Sequence, residues 1–358
     1  EGQSLGEVVF STAMSGYQEL LTDPASAGQL LAFTYPHIGN SGINDQDGES
    51  DRIQAAGLII RDLSLVASNW RCNRSLQEFL QAENCVAIAD IDTRRLTRIL
   101  RDKGTQAGCI LAGADATEEK ALELVRGCQL ETAQKLPADV TAASAYEWTE
   151  APWELSTNSH AQVPAAELPW KVAVYDFGVP RSLLRDLVAK GCQLSVVPAG
   201  TPVAEVLAQK PSGVVLSSGP GDANACAEAV KTAQELLAAD VPLLGVGLGH
   251  QLLALASGAQ VKRMKQARVG SNQPVRDLAS GQAMISSQHH SFVVDRDSLP
   301  ATLEVTHVSL PDEGVQGIRV VGKPAIGFQG VPHLSVEPNT SSAFYDSFVT
   351  LMQQAKQG

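Results

Sequence analysis

No run of about 18 apolar residues occurs in this chain, which excludes a spanning helix, and no basic-then-apolar leader opens it, so secretion is not indicated. The six cysteines (Cys72, Cys85, Cys109, Cys128, Cys192 and Cys226) lack paired spacing. That argues against a disulfide framework or a zinc motif and fits reduced thiols in a cytoplasm, so no metal and no cofactor are expected. Basic residues are also few: 27 Lys and Arg stand against 39 Asp and Glu, a net charge of -12. A nucleic-acid or anionic-membrane surface needs clustered cations, so neither partner is expected, while cationic partners or plain solubility stay open. An initiating Met is missing too. The chain starts at Glu1 and soon enters the strand-like run Glu7-Val-Val-Phe10, so its natural N-terminus is expected to lie upstream.

What is present is ordinary globular material: 358 residues, 44% hydrophobic and 18% charged, enough for two cores. Residues 1–135 mix short strand-like runs (Val8–Phe10, Gln29–Thr34, Ala56–Ile60, Val86–Ala89) with helical pieces and read as an α+β domain. One helical piece, Asp92–Arg101, opens on an Asp cap and places Leu96, Ile99 and Leu100 on one face. Its arginines 94, 95, 98 and 101 read as a solvated face. Residues 136–169 carry Pro137, Pro152, Pro164 and Pro169 with no sustained period and read as a linker or a meandering connection. From 170 to 358 strands alternate with helices, which predicts βαβ units in a mostly parallel sheet flanked by helices, an α/β architecture. The small basic run Lys262–Arg268 reads as a solvated loop, with partner contact as the alternative.

The strongest pattern is Val241-Pro-Leu-Leu-Gly-Val-Gly-Leu-Gly-His-Gln-Leu-Leu-Ala-Leu-Ala256, a buried strand, a tight turn and a helix. This strand-to-helix elbow exposes one side chain at the top of a sheet. The tip is Gly247. A nucleophile must bring an Oγ or Sγ to that position, and glycine brings nothing.

Six ordered pieces, Gly16–Pro24, Thr34–Asn40, Ala89–Arg94, Ser218–Asp222, Leu248–Ala259 and Gly327–Gly330, closely resemble the small subunit of carbamoyl-phosphate synthetase along nearly the whole chain. The resemblance implies an N-terminal domain specific to that subunit and a C-terminal class I glutamine amidotransferase-like domain. In such a domain a Cys-His-Glu triad hydrolyses glutamine, and ammonia passes to a large synthetase subunit serving pyrimidine and arginine synthesis. Against that pattern Gly247 holds the cysteine position, Val331 the base position and His333 the position of the orienting carboxylate. In the glutamine-holding shell Ala25 replaces a serine, His289 an asparagine and Ser291 a glycine, whereas Gly219, Gly221, Leu248, Gln251 and Phe292 are retained. The two retained glycines have a backbone reading independent of glutamine. Cys226, near the Gly-Pro-Gly loop, reads as packing.

The expectation is therefore a catalytically inactive small subunit that supports or regulates a large subunit using ammonia or another amine, with a glutamine-like small molecule as a residual ligand. One alternative is a pocket rebuilt around His250, His289, His290 and His333; another is an ordinary glutamine-hydrolysing subunit.

Overall fold

The computed structural model describes residues 2–114, 116–127, 139–331 and 342–357. They divide into two compact units, one within 1–136 together with 264–270, the other within 137–263 and 271–358. Among the described residues no helix is long and apolar enough to cross a membrane.

The first unit is built on five strands in the order Val86–Ile88, Gly57–Ile59, Gln29–Phe33, Gly2–Ser11, Gln106–Ala112. The first four run parallel and the last is antiparallel to its neighbour. Because successive strand residues face opposite sides, near-continuous apolar runs can fill two layers. Val9, Leu31, Phe33 and Leu58 enter one layer with Tyr17 and Phe79. Val8, Leu30, Ala32 and Ile59 enter the other with Leu100 and Ile110. The helix Leu76–Ala82 starts with a capping box, Ser75 and Glu78 each satisfying the other's backbone N–H. The helix Thr93–Lys103 starts as its sequence predicts, with the Asp92 carboxylate accepting from Arg95 N at 2.9 Å. Its apolar stripe is narrower than expected: Leu100 is buried, whereas Ile99 is 37% exposed. At 100° per residue Ile99 lies about 100° round the helix from Leu100, at the edge of the packed face.

The second unit carries a ten-stranded sheet whose centre is parallel. The strands Cys192–Pro198, Trp170–Asp176, Gly213–Leu216, Leu243–Val246 and Ala325–Phe328 lie side by side in that order. Numbered along the chain this is order 2-1-3-4-5, a doubly wound arrangement. Helices Val203–Ala208, Ala227–Ala238 and Leu248–Ala256 contribute Val206, Ala233, Leu236, Leu252 and Leu253 to the core on one face. On the other face Arg181–Ala189 contributes Leu183, Leu184 and Leu187, and Ser342–Gln357 contributes Phe344, Tyr345, Phe348 and Met352. Antiparallel strands extend both edges.

Two expectations about organisation need correction. Residues 139–169 are not a bare linker: Tyr146–Trp148 pairs antiparallel with the strand Cys192–Pro198, and Glu150–Glu154 with Ser159–Gln162 forms a hairpin. Trp148, Ala151 and Val163 pack against the second core, and Arg185 bonds Glu150 at 2.8 Å. Pro152 suggested a break, but a two-stranded hairpin leaves edge N–H groups without ladder partners, so a proline fits there. Nor is Lys262–Arg268 a loop. It lies in the strand Val261–Asp277, whose middle, 264–270, belongs to the first unit: the Lys265 carbonyl accepts from Thr105 N at 3.0 Å, and Val269 enters the first core.

Candidate active site

Three parallel strands of the second unit, Gly213–Leu216, Leu243–Val246 and Ala325–Phe328, end side by side, with Leu216 opposite Gly245 and Val246 opposite Phe328. Ligands of doubly wound sheets bind beyond such carboxyl ends. Beyond the three ends lie Ser217-Ser218-Gly219, Gly247 and Gln329-Gly330-Val331. The sequence-predicted elbow and the two neighbouring motifs therefore meet at one edge.

Gly247 sits at φ 57° and ψ -111°, backbone that L side chains rarely adopt. Its N–H donates to Phe328 O at 2.9 Å and its carbonyl accepts from Gln251 N at 3.3 Å, so the turn is tied to a strand and to its own helix. A Cβ at 247 would stand 2.9 Å from the Ser218 Cβ and 3.8 Å from Gln329 O. Holding a side chain in such backbone costs about 1–3 kcal/mol. Glycine is the relaxed occupant, and the elbow keeps its bend without a reacting atom.

The retained glycines have a backbone reason. A Cβ on Gly219 would stand 2.0 Å from Phe177 O, and Gly221 sits at φ 96°. Both are needed to form the loop whether or not glutamine binds.

Val331 donates its N–H to Ser287 O at 2.8 Å and packs on the layer containing Val246 and Phe328. An isopropyl group cannot accept a proton. His333 lies outside the described residues.

Behind the elbow the retained Gln251 does structural work. Its Nε2 donates to Phe292 O at 3.0 Å and to Gln329 Oε1 at 3.2 Å. The same Phe292 carbonyl faces His290 Nδ1 at 2.9 Å, so that nitrogen carries a proton. The other ring nitrogen is 3.1 Å from Gln288 Oε1, and Gln288 Nε2 donates to Gln316 Oε1 at 2.7 Å. Gln251, Gln288, Gln316 and Gln329 are all buried. Ser218 Oγ, Gln251 Oε1 and Gln329 Nε2 are buried without hydrogen-bond partners among the described residues. Sequence reasoning missed Gln288 and Gln316, and took Ser218 and Gln329 only as parts of the motifs Ser218–Asp222 and Gly327–Gly330. The only signal of Gln288 and Gln316 was a polar residue within a strand, which does not say what it faces.

The candidate histidines divide. His250 is fully buried, and that burial pushes its pKa down to about 3, with the Gly327 backbone pulling the other way. At neutral pH it is an uncharged core residue. His289 and His290 are successive residues of the strand Ala283–Val294, so their side chains leave on opposite faces. Among the described residues no group of three or more His, Cys, Asp or Glu could hold a metal.

Leu248 and Ser291 are buried. The Phe292 ring carries the Arg263 guanidinium 5.5 Å from its centre. Ala25 lies in the first unit, buried in the turn Pro24–Ser26, with its N–H donated to the Asp23 carboxylate at 2.9 Å. Cys226 offers no replacement nucleophile: burial, then the Asp222 charge, pushes its thiol up to about 11, and its Sγ donates to Asp222 O at 3.4 Å.

Comparison with known proteins adds the following. A family model described as carbamoyl-phosphate synthase small chain, CPSase domain, matches residues 1–110, and one described as glutamine amidotransferase class-I matches residues 173–351. The chain is 53% identical over 356 residues to the carbamoyl phosphate synthase small chain of Pseudomonas aeruginosa, covering 99% of this chain and 94% of that one. It is 53% identical over 352 residues to the small chain of Stutzerimonas stutzeri (98% and 92% covered), and 48% identical over 356 residues to that of Salmonella typhimurium (99% and 93% covered).

Proposed function

The chain belongs to the carbamoyl-phosphate synthase small-chain family, and from that premise we propose that it is a non-hydrolysing small subunit. It binds and supports a synthetase large chain, which draws on free ammonia or another amine. One observation carries the reading. The elbow tip is a glycine at φ 57°, and a Cβ placed there would meet Ser218 at 2.9 Å. Thioester chemistry needs a thiolate at the tip, an imidazole to move protons and a carboxylate to orient it. Gly247 and Val331 supply neither of the first two, and the sequence has His333 at the third position. The buried amides around Gln251 give the crevice a reason to persist as architecture.

Full-length identity of about half to small chains supports the subunit role, since a fold can keep a partner surface after its pocket chemistry is gone. The described histidines are not gathered, so a histidine-based activity has no observation behind it. Reduced, separated cysteines favour a cytoplasmic setting.

The test is chemical trapping. The native chain, alone and with the synthetase large chain, is treated with an electrophilic glutamine analogue and its intact mass recorded. We expect no adduct in either state; an adduct mapping to the crevice overturns the reading.

A further inference from the structure

In the first unit the irregular segment 44–50 lies against the short helix Tyr17–Thr22. Three buried polar side chains, Gln18, Thr22 and Asn44, fasten it. Gln18 grips the backbone of Asn44 twice, its Nε2 donating to the carbonyl at 2.6 Å and its Oε1 accepting from the N–H at 3.0 Å. Thr22 Oγ1 accepts from Glu49 N at 2.8 Å, and Ser50 Oγ donates to Thr22 O at 2.6 Å. Asn44 holds the bend of the segment, its Oδ1 accepting from the N–H groups of Gln46 and Asp47, both at 2.9 Å.

The same segment brings charge to the helix. Arg71 Nη1 and Nη2 donate to the two oxygens of Asp47 at 3.1 and 2.6 Å, and Nη2 also donates to Gln46 Oε1 at 3.1 Å, so one guanidinium clamps the segment. Glu19, in the first turn of the helix, faces Asp47 and Glu49 from the segment and Arg71 from the clamp. Tyr17 on its own helix stays a neutral phenol, because burial raises its pKa. Three carboxyl groups thus share a cation whose fork is already paired with Asp47. Burial first, and then the charges of Asp47 and Glu49, push the Glu19 pKa up to about 7 against an ordinary 4.5, while its own N–H and Arg71 pull it down.

We propose that residues 44–50 are a proton-controlled strap, closed on Tyr17–Thr22 while Glu19 carries its proton and loosened when the ionised Glu19 stands against Asp47 and Glu49. The bonds of Gln18, Thr22 and Asn44 close it at any pH, and the carboxyl cluster sets how firmly. The helix under the strap leads through Asp23 into the turn Pro24–Ser26 that carries Ala25, so the strap governs how tightly that turn is held. Opening returns Glu19 to water and to its ordinary pKa, so the proton favours the closed form. Closure is strongest below about pH 4.5, weakens as pH rises toward about 7 and is constant above that.

The experiment follows amide hydrogen exchange of the full chain from about pH 5.5 to about pH 7.5, each amide referred to its intrinsic rate at that pH. The reporters are the amides of Asn44 and Glu49, and the reference is the strand Gln29–Phe33 of the same unit. In the unaltered chain the reporters should lose about tenfold or more of their protection across that range, with the reference strand unmoved. Glu19→Gln should keep the reporters protected and flat with pH. Glu49→Gln, which removes one opposing charge, should shrink the response without abolishing it. A flat profile in the unaltered chain, an undiminished response in Glu19→Gln or a parallel loss in the reference strand overturns the proposal. Should Glu19→Gln fail to fold, Glu49→Gln decides, since a response equal to that of the unaltered chain also sinks it.

Discussion

The crevice at the strand ends of the second unit and the arginine helix of the first differ in what they have kept. Around Gly247 the backbone is intact, with its turn, its ties to Phe328 and Gln251, and its buried amides, while the positions that would react hold Gly247 and Val331. On Thr93–Lys103 the side chains are charged against the helix's own interest, and nothing among the described residues answers Arg94, Arg95 or Arg98. The crevice keeps its bend with Gly247 at the tip, and the helix keeps charges that cost it stability, a contrast in line with the proposed role in contact rather than in turnover.

The largest effect that could break this comparison is restored catalysis. Because members of a triad act as a unit, Gly247→Cys alone should release no ammonia from glutamine, whereas Gly247→Cys with Val331→His and His333→Glu should exceed it by ~10³-fold or more. A single variant as fast as the triple would mean that the crevice holds chemistry we have not found.

Next in size is the pH response of the buried histidine. Burial holds the folded pKa of His250 near 3 against an ordinary value of 6.5, so below pH 6.5 the unfolded chain binds a proton that the folded chain does not. Its contribution to stability is complete above pH 6.5 and declines as pH falls toward 3. Between pH 7 and pH 5 the loss should be about 2 kcal/mol in urea unfolding. His250→Gln should flatten that decline, and parallel curves for the two proteins would contradict it.

A comparable cost tests the elbow itself. Gly247→Ala should destabilise the chain by about 1–3 kcal/mol, and Ser218→Gly in the same chain should return part of it, because the added methyl meets the Ser218 Cβ. If the two substitutions are simply additive, Ser218 does not press on the tip.

The smallest effect sharpens the other side. Arg94→Glu puts an anion in the first turn of Thr93–Lys103 and removes a like-charge neighbour, so the free chain should gain about 0.3–1 kcal/mol, read from its unfolding midpoint. A loss would show that Arg94 serves the fold after all.

Much of the architecture was legible because period carries it. Alternating strands and helices from Trp170 onward foretold the parallel sheet, and the glycines at 245, 247 and 249 foretold the elbow. Asp92 marked a helix start at which the structure agrees. Pro152 misled, because proline at an unpaired hairpin edge looks in sequence like a break. Lys262–Arg268 misled because charge suggested a loop, while the strand holding it passes through both units. In the crevice, the empty tip at Gly247 was readable from one residue. The burial of His250 and the opposite facing of His289 and His290 were less so, since a motif gives neighbours in sequence and not the side to which each ring turns. Gln288 and Gln316 were invisible for the same reason, since the bond between them joins two strands distant in sequence, and the motifs that hold Ser218 and Gln329 did not say which way those side chains turn.

The most direct test is to supply the native chain, in complex with its synthetase large chain, with either glutamine or ammonia as the only nitrogen source and to follow ammonia release and ATP turnover together. The account predicts turnover with ammonia and none above background with glutamine. Glutamine-driven turnover accompanied by glutamate would contradict it.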